Sequence, residues 1–251
     1  MKIKYFKIFH YHMKFFLWVA FIHSLLAITP EEILKKVDKN LNFSSAIMNI
    51  KMEIYLPDKS VRIKKFKTWI SGNNSYVEFL NKEDKHVRYL KIGKRMWIYD
   101  KEEENTFLIS GHLLKQSMMG SDISYEDILE TEQIYTNYDV KLIGEENLRE
   151  RSCYVILLTA KVKEVNYFKR KMWIDKEQFF PLKEEIYAKN DKLLKTFEYL
   201  EIEFYKDKVY PTKSVVSDKL KIGTKTVVII EEAIFDVEIS SYYFTRRYLE
   251  R

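Results

Sequence analysis

Few side chains in this sequence are suited to chemistry, and their spacing serves none. Beyond residue 27 the chain has two histidines, His86 and His112, and one cysteine, Cys153. A zinc site draws on several His, Cys or carboxylate ligands at set spacings, and neither HExxH nor CxxC occurs. A lone cysteine forms no internal disulfide, so stability must come from packing and sheet hydrogen bonds. The acidic runs Glu102-Glu103-Glu104 and Glu145-Glu146 fall in turn-like contexts without an apolar pocket to raise a pKa. They read as solubilising charge rather than as an acid/base pair. No GxSxG elbow, phosphate-binding loop or GxGxxG motif is present. The basic run Arg62-Ile63-Lys64-Lys65-Phe66-Lys67 is the best candidate for following a nucleic-acid backbone, and it reads better as the solvated face of a strand. The expectation is a chain that is not an enzyme and uses no cofactor, no metal and no nucleic acid.

Such a chain must act through the surface its elements build. Its 251 residues carry a net charge of +6, with 46% apolar, 32% charged and 15% aromatic residues. That balance excludes disorder, and the length is ample for a sizeable core. Lys2, Lys4, Lys7 and Lys14 make a basic start without any acid, and Phe15 to Ala27 is an apolar run interrupted only by His23 and Ser24. This is the design of a signal peptide covering 1–27, cut after Ala27, and the run is too short for a membrane span of about 20 residues. Without the leader the balance is 39 basic to 37 acidic residues, or +2. Residue 28 is Ile and not Cys, so the mature chain should not itself be lipid-anchored.

A single domain is expected over 28–251. Thr29-Pro30-Glu31-Glu32 reads as a capping box with proline at the first helical position, followed by Ile33, Leu34, Val37 and Leu41 at helical spacing. From Ala46 the period changes to two: Met48, Ile50, Met52, Ile54 and Leu56 alternate with more polar residues. A second strand near Val61–Ile70 shows an apolar phase slip between Ile63 and Phe66, which suggests a bulge or strong curvature. Strands continue near Ser75, His86, Arg95 and Thr106, and again from Tyr138 to Phe235. Asn190-Asp191 and Lys206-Asp207 are credible hairpin turns. Between these runs, Gly111 to Glu132 lacks a period of two and reads as a lid-like excursion with short helices, in which Asp122, Ser124 and Asp127 cap and shape the backbone. The fold class expected is mainly β: a strongly curved antiparallel sheet of about ten or more strands with a helix on its concave side.

Several runs carry a family resemblance: Phe66-Lys67-Thr68-Trp69, Met96-Trp97-Ile98-Tyr99-Asp100, Ser117-Met118-Met119-Gly120-Ser121-Asp122-Ile123-Ser124-Tyr125-Glu126-Asp127, Met172-Trp173-Ile174-Asp175 and Phe244-Thr245-Arg246-Arg247. In that order, and across Thr29–Arg251, the chain resembles the bacterial outer membrane lipoprotein-sorting proteins, the LolA-like periplasmic carriers. The resemblance implies an incomplete β-barrel with helices covering its mouth and an apolar cavity for acyl chains. It further implies a monomer in the periplasm, an inner-membrane donor complex and an outer-membrane acceptor. Trp69, Trp97, Tyr99, Met118, Met119, Trp173 and Phe197 are the candidate cavity residues, although plain core packing would satisfy an aromatic in a strand equally well. Those carriers have an Arg-Pro after the aromatic-bearing strand. Here Ser71-Gly72-Asn73-Asn74 follows Trp69-Ile70, so no latching role is transferred to any residue. The reading expected is a carrier for lipoprotein acyl chains or another amphiphile. The alternative is a non-enzymatic envelope sensor of the same fold, and a lipid hydrolase is disfavoured by the missing catalytic groups.

Overall fold

The computed structural model describes residues 28–130, 136–163 and 165–251; the expected leader lies outside the described residues. Helix α1 (Pro30–Leu41) opens as the sequence predicts. The Thr29 hydroxyl accepts from the Glu32 amide, and the Glu32 carboxylate accepts from the Thr29 amide. Two orphan N–H groups are thereby satisfied, and Glu31 and Glu32 lie favourably in the first turn. Ile33, Leu34 and Val37 form its buried stripe.

Among the described residues thirteen strands follow: β1 (Ser45–Tyr55), β2 (Val61–Ser71), β3 (Asn74–Phe79), β4 (Val87–Ile92), β5 (Arg95–Asp100), β6 (Asn105–Ile109), β7 (Tyr138–Leu148), β8 (Arg151–Ala160), β9 (Lys169–Asp175), β10 (Pro181–Tyr187), β11 (Leu193–Tyr205), β12 (Lys208–Asp218) and β13 (Lys225–Phe235). They form one antiparallel sheet in the order β6-β5-β4-β3-β2-β1-β13-β12-β11-β10-β9-β8-β7. Two meanders, β1–β6 and β7–β13, are thus zipped together along β1 and β13. Strands β6 and β7 form the two edges, so the sheet is open. The expected hairpin turns are present, with Asp191 and Lys206 at φ 63° and 56°.

This topology places the excursion. The chain leaves β6 at one edge and re-enters β7 at the other, so the connection must cross a face of the sheet. Residues 111–129 make that crossing through two 3₁₀ turns, Gly111–Lys115 and Met118–Gly120, and the short helix α2 (Tyr125–Leu129).

Register decides which side chains share a face, because directly paired residues in an antiparallel ladder point the same way. One row runs Ile54, Thr226, Val216, Phe197, Glu184, Met172, Ile156 from β1 through β13 to β8. On the other half, Thr68, Val77, Tyr89 and Ile98 continue the same face. Helix α1 packs on its β8–β9 end against Ile156, Leu158, Met172 and Ile174. The crossing segment packs on its β1–β6 half, through Met118 and Tyr125, against Met52, Phe66, Phe79, Tyr89 and Met96. We call this the inner face.

Of the two expectations for β2, a bulge or strong curvature, the bulge is not there. Pairing of β1 with β2 runs unbroken from Ser45↔Ser71 to Tyr55↔Val61. The slip in the apolar pattern has another cause: Val61 and Ile63 point outward and are 43% and 46% exposed, whereas Phe66 points inward and is buried. Among the described residues the irregularities lie at Asn49/Ile50 against β13, at Leu142/Gly144 in β7, at Pro181/Lys183 and Ile186/Tyr187 in β10 and between Tyr199 and Ile202 in β11. Each locally increases twist, which a sheet of this width needs in order to curl.

The opposite face has a core of its own. Trp69, Tyr76, Leu90 and Trp97 are paired across β2–β5, and the C-terminal segment covers them with a 3₁₀ turn (Ser241–Phe244) and helix α3 (Arg246–Leu249). Tyr243 stacks on Trp69 with centroids 5.3 Å apart, and Tyr248 meets Tyr76 edge-on at 4.9 Å. Leu249 is fully buried there.

Candidate functional site: a groove beneath the crossing segment

Between the crossing segment and the inner face lies a groove of about 300 Å³. Ile50, Phe66, Thr68, Ile70, Val77, Tyr89 and Met96 form its floor, and Met118, Ile123 and Ile128 form its roof. Apart from Thr68 in the floor, its hydrophilic side chains gather beside the β2–β3 turn: Asn73, Asn74, Ser75 and, paired with Ser75, Lys91. The floor is inward-facing because alternate residues of β2, β3, β4 and β5 carry apolar side chains in matching phase. Met96 and Met118 add flexible, polarizable thioethers to the wall, which adapt to guests of varied shape.

Buried polar contacts hold the roof down. Asp122, only 1% exposed, accepts from the hydroxyls of Thr224 (2.6 Å) and Thr226 (2.7 Å) and from the Asp218 amide (3.1 Å). Ser124 and Asp127 form a capping box at the start of α2, as their expected shaping role requires. The Lys195 ammonium reaches Asp127 and donates to Ser124 Oγ at 2.9 Å, and Tyr167 donates its hydroxyl to Asp127. Arg170 bonds Glu130, lies 3.3 Å from Glu184 and sits between the rings of Tyr138 and Tyr167. Burial pushes the Glu184 carboxyl up, against the pull of the Arg170 guanidinium. Lys91 Nζ donates to the Ile128 carbonyl at 2.7 Å.

Asp122→Ala leaves two threonine hydroxyls and one amide without their acceptor. It is expected to destabilise the protein by about 1–3 kcal/mol per buried group left unpaired and to raise the rate of proteolysis within 111–129 before the sheet melts. A roof no more accessible than in the parent protein would show that Asp122 does not anchor it.

The sequence-predicted residues divide between the two faces. Met118 lines the groove, and Met119 packs beside it at φ 53°. Phe197 lies on the inner face, in register with Glu184 and Val216. Trp69, Trp97 and Tyr99 lie on the opposite face, beneath the C-terminal segment. Trp173 is likewise turned away from α1: it packs with Cys153 and Val155, donates its indole N–H to Glu146 at 2.6 Å and is flanked by the ammonium groups of Lys171 and Lys183. The structure therefore brings together Met118 and Met119 and keeps the tryptophans apart from them. Tyr89, Lys91, Ile123 and Ile128 line the groove without having been singled out. Parity was the available signal, since Thr68 and Ile98 flank the two tryptophans and must face the other way.

Burial within this apolar wall pushes the Lys91 amine from its ordinary 10.5 down to about 8. Below about pH 8 the folded chain carries a cost of desolvating the ammonium that the unfolded chain does not. Between that value and the ordinary one the folded state loses its proton first, so this group's contribution to stability rises with pH across the window. Wild-type protein is expected to gain melting temperature relative to Lys91→Met between about pH 7 and about pH 9.5. Parallel curves for the two proteins would contradict the assignment.

Among the described residues no cluster of three or more His, Cys, Asp or Glu could hold a metal ion, and no helix is long and apolar enough to cross a membrane. A family model described as "Uncharacterized protein" matches residues 71–251. The chain belongs to that family. No curated protein matches the sequence. Among solved structures, a DUF1329 family protein from Desulfovibrio piger shares 26% identity at a TM-score of 0.79, covering 87% of this chain and 96% of that one. A LolA superfamily protein from Nitrosomonas europaea shares 24% identity at a TM-score of 0.73, covering 89% and 100%. An outer membrane lipoprotein-sorting protein domain from Vibrio parahaemolyticus shares 21% identity at a TM-score of 0.76, covering 88% and 97%. The fold is LolA-like: an open antiparallel sheet with helices on its inner face.

Proposed function

We propose that this LolA-like protein is a non-enzymatic carrier of the bacterial periplasm that shields the alkyl chain of a lipoprotein or another amphiphile between membranes. The observation that supports the reading is the groove itself, an apolar slot between an open sheet and a segment laid across it. A slot built this way needs no nucleotide site. Loading and release follow from different affinities of an open and a closed crossing segment for the guest. The cargo class is suggested by the lipoprotein-sorting domain whose fold this chain resembles, and the compartment by the signal-peptide pattern of 1–27.

The test is mass spectrometry of material co-purifying with protein isolated from a bacterial envelope, beside displacement of an environment-sensitive fluorescent alkyl probe. Saturable binding of one chain per protein and recovery of acylated species support the carrier. Protein that co-purifies with nothing and leaves the probe in water would end this reading.

A further inference from the structure

The groove is amphipathic from end to end, and its charge has one sign. Phe66 and Ile50 are paired well along β1 and β2, whereas Ile70, Ser75, Lys91 and Met96 are paired across the sheet next to the β2–β3 turn. Asn73 and Asn74 of that turn complete the same end. Among the described residues Lys91 is the one charged residue lining the groove, and it forms no ion pair with any of them; its ammonium donates to a neutral carbonyl of the roof. A cation held in an apolar wall without a counter-ion is costly unless a partner arrives. Simple anchoring of α2 would be served by a neutral donor at lower cost.

We infer that the groove takes an amphiphile with an anionic headgroup, a carboxylate or a phosphate monoester, which pairs with Lys91 while Ser75, Asn73 and Asn74 supply further polar contacts and the alkyl chain runs toward Phe66 and Ile50. The inference rests on the carrier reading and specifies its guest. The ammonium keeps enough charge near neutrality to serve, since its depressed value of about 8 still lies above it. Pairing with an anion would favour the charged form further. The Ile128 carbonyl is then free to move, so headgroup arrival and release of the roof are linked through one side chain.

The experiment compares dodecanoic acid, dodecyl phosphate and dodecanol as competitors of the fluorescent alkyl probe, below their self-association limits. Wild-type protein is expected to prefer an anionic ligand over the alcohol by about tenfold or more, the worth of one charge-assisted hydrogen bond. Comparison of the acid with the phosphate tells which headgroup is read. Lys91→Met should bring anionic ligands and alcohol to one affinity, and Lys91→Arg should restore the preference. Equal affinities in the wild type, or a preference that survives Lys91→Met, would overturn the inference while leaving the carrier reading in place. Failure of all three ligands to displace the probe, or of the probe to bind, would remove both.

Discussion

Arg170→Met is expected to cost the fold about 3–5 kcal/mol, because it leaves a buried carboxylate without its cation. Arg170 and Glu184 are 3% and 7% exposed, and the guanidinium also holds Glu130 at the end of the crossing segment. Truncation of one partner forfeits the attraction yet retains the desolvation of the other. The double variant Arg170→Met with Glu184→Met should therefore recover most of the loss, since an apolar pair of similar volume is often neutral or better than a buried ion pair. Denaturant titration of the wild type, both single variants and the double variant provides the cycle. A loss under about 1 kcal/mol for Arg170→Met would mean that Glu184 is held neutral and needs no partner.

Met118→Asp is expected to lower affinity for an alkyl ligand more than tenfold, and Trp97→Ala is expected to leave it unchanged. The carboxylate at 118 would face the guest beneath the roof, where its desolvation is costly. Displacement of only three methylenes forfeits roughly 2.4 kcal/mol at 0.8 per CH₂. Trp97 lies on the other face, where truncation leaves a cavity beneath Tyr248 and Leu249 and costs about 3–5 kcal/mol of stability. Each variant is read by probe displacement and by thermal unfolding, so the two effects separate. Affinity that follows Trp97 and ignores Met118 would place the guest beneath the C-terminal segment instead.

The capped helix, the period-two strands and the crossing excursion were legible because each is a local pattern: a capping box, an alternation, a loss of alternation. The second group of strands read from Tyr138 to Phe235 keeps those limits, with β7 starting at Tyr138 and β13 ending at Phe235. Faces were harder to read. Trp69 and Trp97 stand out by size, yet the groove belongs to their smaller neighbours Thr68, Val77 and Met96, and only cross-strand register shows which parity the roof covers. In β2 the same confusion of face with register made an outward Ile63 resemble a bulge. The buried ion pairs were invisible for a further reason. Asp127 is far in sequence from Arg170, Glu184 and Lys195, and the charge of all four reads as solvated until the crossing segment, which carries Asp127, folds onto the sheet.

The groove beneath the crossing segment is the place where an alkyl chain is expected to reside. Photolysis of a diazirine-bearing alkyl carboxylate with the full chain, followed by peptide mass spectrometry, tests this directly. Labels are expected on Phe66–Val77, on Tyr89–Met96 and on Met118–Ile128, in decreasing yield as unlabelled competitor is added. Competitor-insensitive labelling, or labels gathered on Trp97–Tyr99 and Ser241–Leu249, would contradict it.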